Sequence, residues 1–197
     1  LEHEELSDAS AGYTARAKDG ADRLRRILSA MSEASRVEEL MQHAEAERFD
    51  LRRVLKSTVS AYRDVYENRQ FEFDCEIDAA VMEGSPELVI QMLDKLVDNA
   101  AEFSAAGDII TISLAREDDS LVLGVENPGP PLPERMRSQL FDSMVSVRPD
   151  GSDKHLGLGL FVAKIIAEGH RGSISARNTG SGVRFSVSVP VADPQLA

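Results

Sequence analysis

The segment Lys154-His155-Leu156-Gly157-Leu158-Gly159-Leu160 runs directly into the apolar stretch Phe161–Glu168, a pattern that predicts a glycine loop opening a helix. The first N–H groups of a helix have no intrahelical partner, and glycines let an anion approach them closely, so this junction is a natural phosphate site. Val162 stands where a dinucleotide-binding loop would carry its third glycine, and no Gly-Lys-Ser/Thr is present to make a P-loop. The weight of the signal comes from two companions: an upstream helix bearing Asp98-Asn99-Ala100, and a proline-glycine turn over Asn127–Pro133.

A chain of 197 residues with 42% hydrophobic content holds one full domain and a smaller element. Its net charge of −12 and isoelectric point near 4.8 argue against a nucleic-acid partner, although a few local cations and backbone amides suffice for a nucleotide. Cys75 is the single cysteine. It lies in the alternating run Phe71-Glu72-Phe73-Asp74-Cys75-Glu76-Ile77, which predicts a core thiol, and a disulfide framework is excluded. No apolar run approaches the ~20 residues that span a bilayer. Because the chain starts at Leu1, it is expected to be a fragment, with any membrane anchor outside it.

Residues from about Ala17 to Ala46 are charge-rich and lack proline, with Leu24, Ile27, Leu28, Met31, Ala34 and Met41 near heptad spacing, which predicts a bundle helix. Asp50 caps a second amphipathic helix carrying Leu51, Val54, Leu55, Thr58, Val59 and Tyr62. A strand over Phe71–Ile77 follows, and Ser85-Pro86 opens a long helix to about Phe103. Period-two alternation at Ile110, Ile112 and Leu114, and again at Leu121, Leu123 and Val125, predicts a hairpin across Glu117–Ser120. Pro133 to Lys154 lacks periodicity and reads as a long loop, either a lid or a disordered segment. Ile174, Ala176, Val183, Phe185, Val187 and Val189 return to strand alternation. The predicted architecture is α+β, a mixed sheet with helices on one face. Residues 1–48 are expected to form a helical element and 49–192 the domain built on the mixed sheet.

On the helix 86–103, Leu88, Val89, Met92, Leu93, Leu96, Val97 and Ala100 make one apolar face. Asn99 falls at its margin beside Lys95 and Phe103. Its amide is either satisfied by nearby backbone or turned to a ligand, and an Asn oxygen is the kind of neutral donor that Mg²⁺ accepts beside phosphates and water.

Asp98-Asn99-Ala100, Phe103-Ser104, Asn127-Pro-Gly-Pro-Pro-Leu-Pro133, Leu140-Phe141-Asp142, Gly157-Leu-Gly159-Leu160 and His170-Arg-Gly172 together resemble the N, G1, F and G2 boxes of sensor histidine kinases, in order and spacing, from about Phe49 to Pro190. The resemblance implies the Bergerat (GHKL) two-layer α/β sandwich, with ATP and Mg²⁺ as cofactors. Leu24–Glu38 is similar to the second helix of that family's dimerisation and phosphoacceptor hairpin, so residues 1–48 read as a truncated hairpin. His3-Glu4 imitates the start of an H-box, yet Asp8 stands where its proline is expected, and too few residues separate His3 from Ser35-Arg36 for a complete hairpin. The acceptor histidine is therefore expected upstream, and no catalytic residue is assigned within the chain.

Residue by residue, the resemblance makes Asn99 the Mg²⁺ ligand and Phe103 the aromatic against adenine. Asn127 stands where the family carries the Asp that reads the adenine amino group, and an amide oxygen can accept that hydrogen while its NH₂ needs another partner. Gly129 matches the first G1 glycine, while Pro131 replaces the second. Gly157, Leu158, Gly159 and Leu160 supply phosphate-facing backbone. Lys95 replaces the first Asn of the N box, Glu102 occupies a position often basic, and Met144 replaces an F-box aromatic. Lys95, Arg148 and Lys154 are candidate phosphate cations, since phosphoryl transfer needs charge neutralisation. For Arg148 and Lys154 solvated loop charge is the open alternative. His170 is expected to be structural.

The resemblance implies phosphoryl transfer from ATP to a hairpin histidine, then to the Asp of a response-regulator receiver domain. It further implies a homodimer in the full-length protein, no nucleic-acid partner, and the cytoplasmic portion of an inner-membrane protein, attached only through segments outside this chain. Two alternatives are an ATP-hydrolysing clamp of the same fold and an ATP-independent interaction module. The clamp needs a water-activating Glu one turn before Asn99, where Lys95 stands.

Overall fold

Ile110, Ile112 and Leu114 alternate inward along β4 (Ile109–Glu117), which pairs antiparallel with β5 (Ser120–Pro128) and turns at Asp118, whose φ is +51°. In the computed structural model, which describes residues 8–43, 46–136, 139–142 and 158–192, these two strands lie within a five-stranded sheet of order β2-β4-β5-β7-β6. The outer strand β2 (Gln70–Cys75) runs parallel to β4, while β7 (Gly182–Pro190) and β6 (Ser173–Asn178) are antiparallel to their neighbours. Leu121, Leu123, Val125, Phe185 and Val187 point to the same covered face.

Three helices cover that face. α2 (Leu51–Val65) is capped by Asp50, whose carboxylate accepts from Arg52 N, and it buries Leu51, Leu55, Val59 and Tyr62. α3 (Pro86–Phe103) starts at the Ser85 cap and buries all seven apolar residues of its predicted face. α4 (Leu158–Gly169) buries Val162, Ala163 and Ile166. The result is the expected two-layer α/β sandwich.

α1 (Asp8–His43) is one continuous helix, starting earlier than the heptad pattern predicts and containing no hairpin turn. Its C-terminal half packs on the sandwich through Ala34 and Val37, and Met41 lies so close to Gly169 that a Cβ there would stand 2.5 Å from the Met41 methyl. Leu24, Leu28 and Met31 stay more than half exposed, a seam that no described residue covers.

Two features escape sequence patterning. β1 (Glu47–Asp50) pairs antiparallel with β3 (Val81–Gly84), a contact between short segments too distant in sequence to announce each other. Asn127 and Pro128 belong to β5, opposite Val183 and Gly182, so the turn begins only at Gly129. Cys75 is half-buried rather than in the core, its thiol 3.5 Å from the Ile77 carbonyl.

Candidate functional site

The α3 sequence places Lys95, Asn99 and Phe103 four residues apart, on one edge of the helix rising about 6 Å per step. That edge runs between the first turn of α4 and the end of β5. At one end, the Lys95 stem lies 3.8 Å from where a Cβ on Gly159 would be. At the other, a Cβ on Gly129 would stand 2.8 Å from the Phe103 carbonyl oxygen, so the turn after β5 presses on the end of α3 at a spacing only glycine tolerates. Lys95, Gly159, Phe103, Gly129 and Asn127 are thus gathered along one line.

Asn127 is 2% exposed. Its side-chain nitrogen donates to the Pro128 carbonyl at 2.8 Å, which answers where the spare NH₂ of an amide at this position goes. The oxygen has no hydrogen-bond partner among the described residues and is left as an acceptor. Gly182 makes the strand pairing at Asn127 possible, because a Cβ there would overlap the Asn127 carbonyl oxygen. The half-buried Asn99 amide likewise has no partner among the described residues, against the reading in which backbone satisfies it.

Lys95 is engaged. Its ammonium lies 2.7 Å from Glu33 of α1, and Gln91 donates to the same carboxylate oxygen at 2.9 Å. Gly159 and Leu160 sit inside the first turn of α4 rather than in a loop before it, and the Leu160 side chain is buried, so only backbone there can face a phosphate. Gly157, Arg148, Lys154, His155, Met144 and His3, and with them the lid expectation, lie outside the described residues.

Sequence reasoning missed several supports. Asn178 clamps Leu132 at both ends of its backbone, N–H to Oδ1 at 2.7 Å and Nδ2 to O at 3.0 Å, holding the proline-rich turn onto β6. Asp94 and Asp98, which look like solvated surface charges in sequence, accept from Tyr62 at 2.5 Å and Tyr66 at 2.6 Å, stapling α2 to α3. Burial, then these carboxylates, push both phenol pKa values well above their usual range. Phe141 packs edge-on against Phe185 of the sheet, 6.3 Å between centroids.

His170 is structural. Its Nδ1 donates to the Ile166 carbonyl at 2.7 Å, so Nε2 is the acceptor for the Ser85 N–H at 3.1 Å, tying the end of α4 to the cap of α3. Burial lowers its pKa below the ordinary value, opposed only by the Ile166 bond.

Residues 84–193 match the family described as histidine kinase-, DNA gyrase B-, and HSP90-like ATPase. The sensor protein ChvG of Agrobacterium fabrum is 30% identical over 188 residues, 87% of this chain and 32% of that protein, so the chain spans about a third of that relative's length. Among solved structures, the catalytic domain of histidine kinase ThkA superposes with a TM-score of 0.65 at 27% identity, covering 75% of this chain and 96% of that one. ThkA in complex with the response regulator protein TrrA shares the fold at 22% identity and a TM-score of 0.69, over 98% of this chain and 53% of that one. Among the described residues, no helix is long and apolar enough to cross a membrane.

Proposed function

The chain belongs to the histidine kinase-, DNA gyrase B- and HSP90-like ATPase family, and from that membership we propose that it is the ATP-binding catalytic portion of a sensor kinase that phosphorylates a histidine on a helical hairpin. Bound Mg²⁺-ATP supplies the γ-phosphoryl group. Asn127 Oδ1 accepts from the adenine amino group, with Gly129 keeping the turn close to Phe103. Asn99 offers its amide oxygen to the metal, a fit supported by the absence of a partner for it among the described residues. The backbone of Gly159 and Leu160, at the start of α4, offers N–H groups to the phosphates, with Gly157, Leu158, Arg148 and Lys154 as further members of that end.

The observation that carries the kinase reading is Lys95, one turn before Asn99 and beside Gly159. An ammonium there neutralises phosphate charge and cannot activate water as a carboxylate base, which disfavours the hydrolytic clamp. The exposed seam of Leu24, Leu28 and Met31 supports α1 pairing with partner helices in a homodimer of the longer protein. Relay from the hairpin histidine to a receiver-domain Asp completes the reading, with the chain on the cytoplasmic side and any membrane attachment carried by other segments.

Incubation with γ-labelled ATP and a separately supplied dimerisation hairpin tests this. Acid-labile label should appear on the hairpin and should be lost in Asn99→Ala. Release of phosphate at the same rate with no label on the hairpin would assign the chain to the clamp.

A further inference from the structure

A groove of about 660 Å³ runs between α2 and the outer strand β2, away from the nucleotide edge of α3. Arg52, Arg53, Lys56 and Arg63 line it above Phe73, and no carboxylate is among its described lining residues. In a chain of net charge −12, four cations on one wall are an anomaly. Among the described residues none of the four is ion-paired: Arg52 Nη1 donates to the Asp78 carbonyl at 3.3 Å, Arg63 Nε donates to the Phe71 carbonyl at 3.1 Å, and Arg52 Nε is buried with no acceptor. Like charges gathered without counter-charges favour an anionic occupant.

The other wall says what shape it has. Gln70 N donates inward to Asp108 O, so Phe71, Phe73 and Cys75 turn their backbone groups to the open edge, where Arg63 meets the Phe71 carbonyl. An edge strand is a template for a further strand. Glu72 and Asp74 stand exposed on the opposite face of β2. A strand added there would turn alternate side chains to the four cations and the others to the two carboxylates.

The geometry points to a peptide-docking groove: α2 and β2 accept an extended segment of a partner protein, acidic at alternate positions and uncharged or basic between them, added as a sixth strand beside β2. Main-chain bonds hold it and the cations select it. A free phosphate would use one or two of the cations and none of the edge, and a flat anionic membrane approaching that edge would meet Glu72 and Asp74 as well.

Fluorescence anisotropy on the intact chain tests this with a labelled peptide of about ten residues alternating glutamate and threonine. A second peptide carries the same residues as a glutamate block followed by a threonine block. The alternating peptide should bind more tightly than the block peptide and should not be displaced by ATP. The exposed double variant Arg53→Glu, Lys56→Glu should weaken it about tenfold, since two attractions become repulsions, with thermal stability and ATP affinity unchanged. Equal binding of the two peptides, no binding, or indifference to the double variant would overturn the proposal. So would tighter binding of oligothymidylate or phosphatidylserine vesicles through the same two residues, which would assign the groove to nucleic acid or to a membrane.

Discussion

Lys95 Nζ lies 2.7 Å from Glu33 Oε1, so the cation whose stem lies beside Gly159 is held by the helix that docks on the sandwich from outside it. The two side chains keep 25% and 32% exposure. Water therefore screens the pair, and its worth is at most about 1 kcal/mol.

This pairing makes the first prediction. Glu33→Ala should release the ammonium toward the phosphates and tighten ATP binding by up to about fivefold, while Lys95→Met should weaken it. Calorimetry on both variants checks this. If Lys95→Met weakened ATP but Glu33→Ala left it unchanged, the carboxylate and the phosphates would not be competing for the same ammonium.

Asn99→Ala should abolish the contribution of Mg²⁺ to ATP affinity while leaving the melting temperature within a degree or so, because the residue sits at the edge of the apolar face and has no partner among the described residues to lose. Titration of ATP with and without Mg²⁺ reads it directly. A Mg²⁺ dependence equal to that of the unsubstituted chain would remove Asn99 from the metal.

Asn127→Ala should weaken ATP and ADP alike, by about 0.5–1.5 kcal/mol for the lost adenine bond. It should also cost stability, since the Pro128 carbonyl loses the donor supplied by a side chain only 2% exposed. Inorganic triphosphate binding, measured on the same variant, should be unchanged. Loss confined to the triphosphate would place Asn127 at the other end of the nucleotide.

His170 sets a pH dependence. Its folded pKa lies below the ordinary 6.5, so below that pH the unfolded chain binds the proton first, and stability present above about pH 6.5 declines as pH falls toward the folded pKa. Protonation would also turn Nε2 from acceptor to donor against the Ser85 N–H. Chemical denaturation between pH 7.5 and about 5 should show this decline, and His170→Gln should flatten it at a lower overall stability. A variant as pH-sensitive as the unsubstituted chain would trace the decline to other groups.

The sandwich was legible wherever burial imposes a period. The seven buried residues of α3 and the inward alternation of β4, β5 and β7 follow from helix and strand geometry against one apolar layer. The Asp50 and Ser85 caps were legible because a cap is a bond between residues two or three apart. β1 was not, since Glu47–Asp50 becomes a strand only by meeting Val81–Gly84.

By itself the sequence determined which side chains the nucleotide edge can offer: Lys95, Asn99 and Phe103 share a helix edge by spacing alone, and Gly129 and Gly159 announce backbone approach. Only the tertiary structure decided what each is committed to. Asn127 spends its nitrogen on Pro128 and keeps its oxygen, Asp94 and Asp98 are bound by Tyr62 and Tyr66, and Lys95 is held by Glu33. The reason is physical: periodicity and capping are short-range constraints of the backbone, whereas hydrogen bonds and ion pairs between elements depend on how whole helices pack, which no local pattern encodes.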